Sequence, residues 1–248
     1  MFKLLKSRFS HGFPYIRDIR KAQINSKFRG FPLIKKEPVA PAGAARCPSG
    51  ALSAEKHEID LGKCLLCGDC AENGKISFSS YYKTAATSRD ALVIGEGESI
   101  SDFEKLFVPM PGAISRLFGR SLKLRQVSAG GCGGCELELN ACSNANFDMG
   151  RFGIEFTASP RHADGIVITG PVSGNMAAAL EEAYNAVPDP RLIIAAGACA
   201  ISGGIFQTSH ETDRSFFDRH RVDLYIPGCP VHPLTFINGL MDLLRKRK

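Results

Sequence analysis

The sequence predicts an α/β protein, a flavodoxin-like doubly wound parallel sheet preceded by a small ferredoxin-like α+β domain. Three observations predict it. Residues 121–248 alternate short apolar runs, each ending near Gly or Pro, with stretches of helical spacing. Residues 37–80 gather four cysteines among many small residues. Hydrophobic residues make up 44% and charged residues 23% of 248 residues, a globular composition with chain enough for a medium domain and a small one.

Residues 1–36 form a basic arm in which Phe2, Leu4, Leu5, Phe9, Phe13, Tyr15 and Ile16 are interleaved with cations. It is expected to be partly helical and to pack on something else. In residues 37–80, the flanking segments FRGFPLI and ISFS are expected to supply small hairpin strands. Residues 81–120 contain no cysteine and read as a linker with a short helix or two, punctuated by Pro109, Pro111 and Gly112. In residues 121–248, LKLRQV (122–127), GIVITG (165–170), RLIIAAG (191–197) and VDLYIPG (222–228) read as buried parallel strands. NMAAALEEAYNAV (175–187) reads as a helix stopped by Pro188. HPLTFINGLMDLLRKRK reads as an amphipathic helix whose basic last turns suit the helix dipole. Strands alternating with helices give the doubly wound sheet.

The formal net charge is +6, and residues 1–40 alone carry ten Lys or Arg against Asp18 and Glu37. Two solvated basic ends account for this. So does contact with an acidic partner or anionic lipid headgroups. Nucleic acid is not expected, because no binding module accompanies the charge. No apolar run is long enough to span a bilayer, and MFKLLKSRFSHGF lacks the pattern of a secretory signal. The expectation is a cytoplasmic protein, peripheral on the cytoplasmic side of the inner membrane. Nine cysteines without an export signal point to metal or cluster ligation rather than disulfides.

KCLLCGDCAENGKIS begins as the run that builds a cubane cluster, with Cys64, Cys67 and Cys70 each two residues from the next. The fourth position of that run is Gly74. In two-cluster ferredoxins the fourth cysteine of each run ligates the other cluster. The partner needed is therefore a Cys-Pro pair upstream, and Cys47-Pro48 supplies it. Counting back from Cys47, its own run would use positions 43, 40 and 37, which are Gly43, Ala40 and Glu37. All four ligands of one cluster are absent and all four of the other remain. The reading is a single [4Fe–4S] cluster on Cys47, Cys64, Cys67 and Cys70, with structural zinc as the alternative.

Three of the expected strands run straight into cysteines: Cys132 and Cys135 after the first, Cys199 after the third, Cys229 after the fourth. Ligands of open α/β sheets bind outside the carboxyl ends of the strands, so these four converge at one edge. Four thiolates suit a second [4Fe–4S] cluster, and zinc takes the same donors. Gly130, Gly131, Gly133, Gly134, Gly203 and Gly204 would let backbone pass close to a bulky cofactor. Cys142 is left over and reads as a small buried hydrophobe.

GGCGGCELE, SPRHADGIVITGPVSGNM, GACAISGGIF and YIPGCPVHP occur in one order. Together they resemble the small subunit of membrane-associated [NiFe] hydrogenases of the formate hydrogenlyase and energy-converting type, over about residues 121–240. The complex I subunit that carries its last cluster is also similar, but it has two adjacent cysteines in the first motif. Here two glycines separate Cys132 from Cys135, as in the hydrogenase branch. The resemblance implies that Cys132, Cys135, Cys199 and Cys229 ligate a cluster proximal to a nickel–iron site in a partner large subunit, within a complex of other iron–sulfur and membrane subunits. It makes Glu136 and Glu138 candidates for a proton path at the subunit interface. A helix start with acidic residues near its positive end explains them equally. Arg161 and His162 would face the cluster and the large subunit, the alternative being a buried Arg161–Asp164 pair. No nucleophile–base constellation appears, and no GK[ST] follows the glycines near Cys132, so no active site of its own is expected. The function implied is electron transfer through two [4Fe–4S] clusters. The alternatives are a quinone-linked or nickel-free complex I-like subunit and a zinc-stabilised scaffold.

Overall fold

The computed structural model describes residues 2–36, 47–72 and 74–246. The first helix, α1 (Phe2–His11), buries none of its residues. Strands β1 (Pro32–Ile34), β2 (Leu52–Ser53), β3 (Glu58–Asp60), β4 (Ile76–Phe78) and β5 (Val93–Ile94) make two small sheets. Strands fall in FRGFPLI and ISFS as expected, and they pair with each other: β1 runs antiparallel to β4, with Pro32 opposite Phe78 and Ile34 opposite Ile76. The other small sheet has the order β2-β3-β5. Val93 and Ile94, in the stretch read as linker, thus pair with the cysteine region. The same stretch holds two short helices, α2 (Ile100–Lys105) and α3 (Gly112–Phe118). Positions 37, 40 and 43 lie outside the described residues.

The large sheet contains β6 (Leu122–Ser128), β7 (Ile154–Phe156), β8 (Gly165–Thr169), β9 (Leu192–Ala196) and β10 (Leu224–Ile226) in the order β10-β9-β8-β6-β7. Every pairing is parallel. Counted within the domain this is the flavodoxin-type order 2-1-3-4-5. All five residues of β8 and of β9 are buried, as strands covered on both faces must be. The interleaved helices are α4 (Gly134–Ala141), α5 (Gly174–Asn185), α6 (Ala198–Ser202), α7 (Ser215–Arg219) and α8 (Pro233–Leu243).

The sheet has two distinct covers. Ile166, Ile168, Ile193 and Ala195 point into a core with Leu180 of α5, Phe216 of α7, and Phe31, Ile59 and Leu61 of the cysteine module. Their neighbours Val167, Leu192, Ile194 and Ala196 point the other way, to Leu139 of α4, to α8 and to Ile19 of the arm. One alternation of side chains therefore joins the small sheets to one face and the arm to the other.

The last helix presents almost no solvent face. Every residue of α8 except Asp242 is buried, because Ile19, Tyr82 and Phe118 cover the side that the sheet does not. Asn238 donates to Ile19 O at 3.1 Å, fixing the arm across it. The helix also stops before its basic residues. Arg245 takes φ +52°, Arg245 N–H donates to Asp242 O, and Lys246 N–H donates back to Met241 O at 2.8 Å. This is a Schellman stop with arginine where glycine is usual. Lys246 turns inward, is buried, and donates through Nζ to Phe152 O at 2.6 Å.

Candidate functional site

The first group of cysteines lies in the loops between the small strands. Cys47, Cys64, Cys67 and Cys70 line one pocket whose other walls include Leu52, Ile59, Leu65 and Phe78. Two sulfurs accept backbone N–H groups: Cys47 Sγ from Ala51 at 3.2 Å and Cys64 Sγ from Leu66 at 3.4 Å. Cys64 is buried, and burial first, then the nearby Cys70, Cys47 and Cys67, pushes its thiol up to about 12 despite the Leu66 N–H. Burial, then Cys67 and Cys47, pushes Cys70 up to about 11. The loop is braced from behind. Arg89 clasps Asp60 through two bonds, at 2.8 and 2.5 Å, and Asp60 O accepts the N–H of Cys64 at 2.9 Å.

The second group stands at the carboxyl ends of the large sheet. Cys132 and Cys135 follow β6, Cys199 follows β9 within α6, and Cys229 follows β10. Burial pushes Cys135 up to about 12, opposed by a backbone bond at Val231 and supported by Glu136, Cys229 and Cys199. Burial, then Cys229 and Cys132, takes Cys199 to about 11. Cys229 is raised by burial and then by Cys132. The backbone passes so close that side chains do not fit. A Cβ on Gly197, at φ +93°, would lie 2.6 Å from Cys135 Sγ, and one on Gly204 would lie 2.9 Å from Cys199 Sγ. Gly204 was expected from the sequence and Gly197 was not. Gly130 and Gly131 serve another contact, the close approach of Ser173 and Gly170 at the end of β8.

Glu136 ties two strand ends together: its Oε1 accepts from Ser128 Oγ at 2.6 Å and Thr169 Oγ1 at 2.7 Å. Burial alone would raise its carboxyl, but these two hydroxyls outweigh it and hold it below the usual range. It also sits in the first turn of α4, near the positive helix end. Glu138 lines a groove between the two cysteine loops, with Leu65 and Leu66 on one side and Cys229 and His232 on the other. Arg161 and His162 do not join the cysteines. They are exposed, in the turn entering β8 at its amino end, while the cysteines stand at the carboxyl ends. Asp164 is not their partner: its Oδ2 accepts from Lys123 N at 2.7 Å, locking that turn to the start of β6. Cys142 is buried at the end of α4 and donates to Glu138 O.

Residues invisible to motif reading complete the second site. Arg214 clasps the carbonyls of Pro171, Cys199, Ala200 and Ile201, so a half-buried guanidinium stands directly behind Cys199. The two groups also meet. A Cβ on Gly62 would lie 2.8 Å from Ile201 Cγ2, and Gln207 Nε2 donates to Ser49 O at 2.9 Å. Gly62 is two residues from Cys64, Ile201 two from Cys199 and Ser49 two from Cys47. Among the described residues, no three His, Cys, Asp or Glu side chains close on a single metal ion.

Residues 132–243, which begin at Cys132 and take in Cys135, Cys199 and Cys229, match the model of the NADH ubiquinone oxidoreductase 20 Kd subunit family. A probable membrane-bound hydrogenase subunit of Pyrococcus furiosus is 35% identical over 133 residues, 54% of this chain and 80% of that protein. The chain belongs to the 20 Kd subunit family. An NADH-quinone oxidoreductase subunit of Bacteroides thetaiotaomicron is 44% identical over 115 residues, 46% of this chain and 58% of that one. Among solved structures, a chain of the membrane-bound sulfane sulfur reductase, an archaeal respiratory membrane complex, aligns with TM-score 0.47 and 29% identity over 55% of this chain and 75% of that one. The 20 Kd family match covers the large sheet and the second cysteine group, and leaves the first group and the arm outside it.

Proposed function

We propose that this chain is the electron-transfer subunit of a membrane-associated hydrogenase-type oxidoreductase and carries two [4Fe–4S] clusters. Cys47, Cys64, Cys67 and Cys70 would hold one in a ferredoxin-like module, and Cys132, Cys135, Cys199 and Cys229 the other. The observation that carries this reading is the pair of four-thiol groups on loops that touch through Gly62 and Ile201. Thiolate donors with backbone N–H groups on their sulfurs and glycine at their closest approaches fit a cluster and tune its potential. The clusters supply reversible one-electron storage. The chain's own residues would hold them on either side of the Gly62–Ile201 contact.

The second group would lie next to the active site of a large subunit, with the first group as the outer relay. Membership of the family, and a relative named as a membrane-bound hydrogenase subunit, support partner subunits of that class and a peripheral membrane position. Among the described residues no helix is long and apolar enough to cross a membrane. A second reading, a quinone-linked or nickel-free complex, is favoured by the 44% identity to the NADH-quinone oxidoreductase relative. One experiment separates them. The native complex is captured anaerobically through this chain, and hydrogen-dependent dye reduction is measured with the nickel content. Activity with one nickel per complex is expected. Iron and sulfide without nickel or hydrogen activity would move the chain to the second reading.

A further inference from the structure

The end of the large sheet opposite the cysteines carries a concavity lined by Arg116, Arg120, Arg151, Arg245 and Lys246, with Ser115 at its floor. No carboxylate lines it, and none of the five cations takes part in an ion pair among the described residues. Arg116 and Arg120 are exposed on and just after α3, and Arg245 is exposed beyond α8. Lys246 is buried there, its partners among the described residues being the carbonyls of Phe152 and Gly153, and burial lowers it from the ordinary lysine range. Arg151 is half-buried, and its Nε is a buried donor with no partner. Five cations held together without a partner anion among the described residues repel one another, a cost that a phosphate-class oxyanion would relieve.

The arm says which source of phosphate this is. Arg151 donates to Ile16 O and lies over the Tyr15 ring at 4.8 Å, so the arm leaves the body at this concavity. Beyond it, α1 buries none of its residues, with Phe2 84% and Phe9 83% exposed. Phe2, Leu5 and Phe9 fall on one helical face, flanked by Lys6 and Arg8, with Leu4 alone on the other side. A short helix with one apolar face and flanking cations suits the headgroup–acyl boundary of a bilayer. We infer that the Arg116/Arg120/Arg245 concavity binds the headgroup phosphates of anionic phospholipid while α1 lies in the bilayer surface beside it. The cysteine groups do not enter this inference, which stands or falls apart from the cluster reading.

The test is flotation of the full-length chain, purified with its native cofactors, on phosphatidylcholine vesicles with and without phosphatidylglycerol. The wild type should partition only to the anionic vesicles. R116Q/R120Q/R245Q, which alters exposed side chains alone, should weaken partitioning roughly a hundredfold, at about fivefold per cation near an anionic surface. F2S/F9S, which leaves the concavity intact, should weaken it as well. Equal binding to neutral vesicles, or a triple variant that partitions like the wild type, would overturn the proposal. So would displacement from vesicles by inorganic phosphate at a concentration where the same ionic strength of chloride has no effect, since the site would then take soluble phosphate.

Discussion

At the first site all four cysteines fall within residues 47–70, in loops between strands of two or three residues. The second site draws its cysteines from three loops at the carboxyl ends of a five-stranded sheet, reaching from Cys132 to Cys229. The surroundings differ as much as the frames. The first pocket is mostly apolar and its bracing cation, Arg89, is neutralised by Asp60. The second has Glu136 against two strand ends and an arginine, Arg214, whose hydrogen bonds among the described residues go to carbonyls. The first site is carried by loops between short strands. The backbone of the second is placed by the ends of β6, β9 and β10.

The largest expected contrast follows from that difference. Chelating the iron should leave residues 47–78 with hydrogen exchange close to that of an unfolded chain, as in small domains whose metal affinity supplies their folding energy. The amides of β8 and β9 should stay protected. Equal loss in both regions would show that the sheet does not pre-form its site.

A smaller effect is expected at the seam between the sites. Gly62→Val would drive side-chain atoms into Ile201 Cγ2 and the Arg89 guanidinium, each 2.8 Å from a Cβ at that position. Overpacking of this kind costs about 1–3 kcal/mol. The denaturation midpoint should fall, and electron exchange between the sites should slow with it. An unchanged midpoint would mean that the two regions are not packed together.

The charge difference gives the third contrast. Arg214→Gln removes a cation behind Cys199 and should lower the reduction potential of the second site only. A shift on the order of 50 mV corresponds to about 1 kcal/mol for a one-electron couple. An EPR-monitored titration that moved both sites equally, or neither, would contradict it. The smallest effect concerns Glu136. Its carboxyl is held low in the folded chain. It therefore contributes stability above the ordinary glutamate value of about 4.3, and that stability is lost as pH falls through the lower folded value. Glu136→Gln should lower stability at neutral pH, change little in acid, and so flatten the acid limb of the stability–pH curve.

Much of this comparison was legible in the sequence, because cysteine spacing and strand ends are local signals. The sorting of Gly74, Gly43, Ala40 and Glu37 against Cys47, Cys64, Cys67 and Cys70 needs only counting, and four apolar runs mark four strands. What was missed depends on partners distant in sequence. Strand β7 has three residues and exists because Gly153 O accepts from Leu122 N and Thr157 N donates to Leu124 O. The burial of α8 comes from the arm laid over it, which its own pattern does not announce. Arg161 and His162 stand beside a motif that leads into β8, yet entering a strand puts them at the end away from the cysteines. The arm itself divides at a point no composition shift marks. Its first helix is free, while Ile19, Phe31 and Ile34 belong to the core, so residues 1–36 are not a removable unit.

The central claim is that two separate four-thiolate groups each hold a cubane, and metal counting in single-cysteine variants tests it most directly. Iron, acid-labile sulfide and zinc are measured in anaerobically purified wild type, Cys64→Ser and Cys199→Ser. Two clusters require about eight iron and eight sulfide per wild-type chain, and about four of each in either variant. The EPR signal that remains should be the second site's in the first variant and the first site's in the other. Zinc in place of iron, or a wild-type chain with about four iron and four sulfide, would contradict the account.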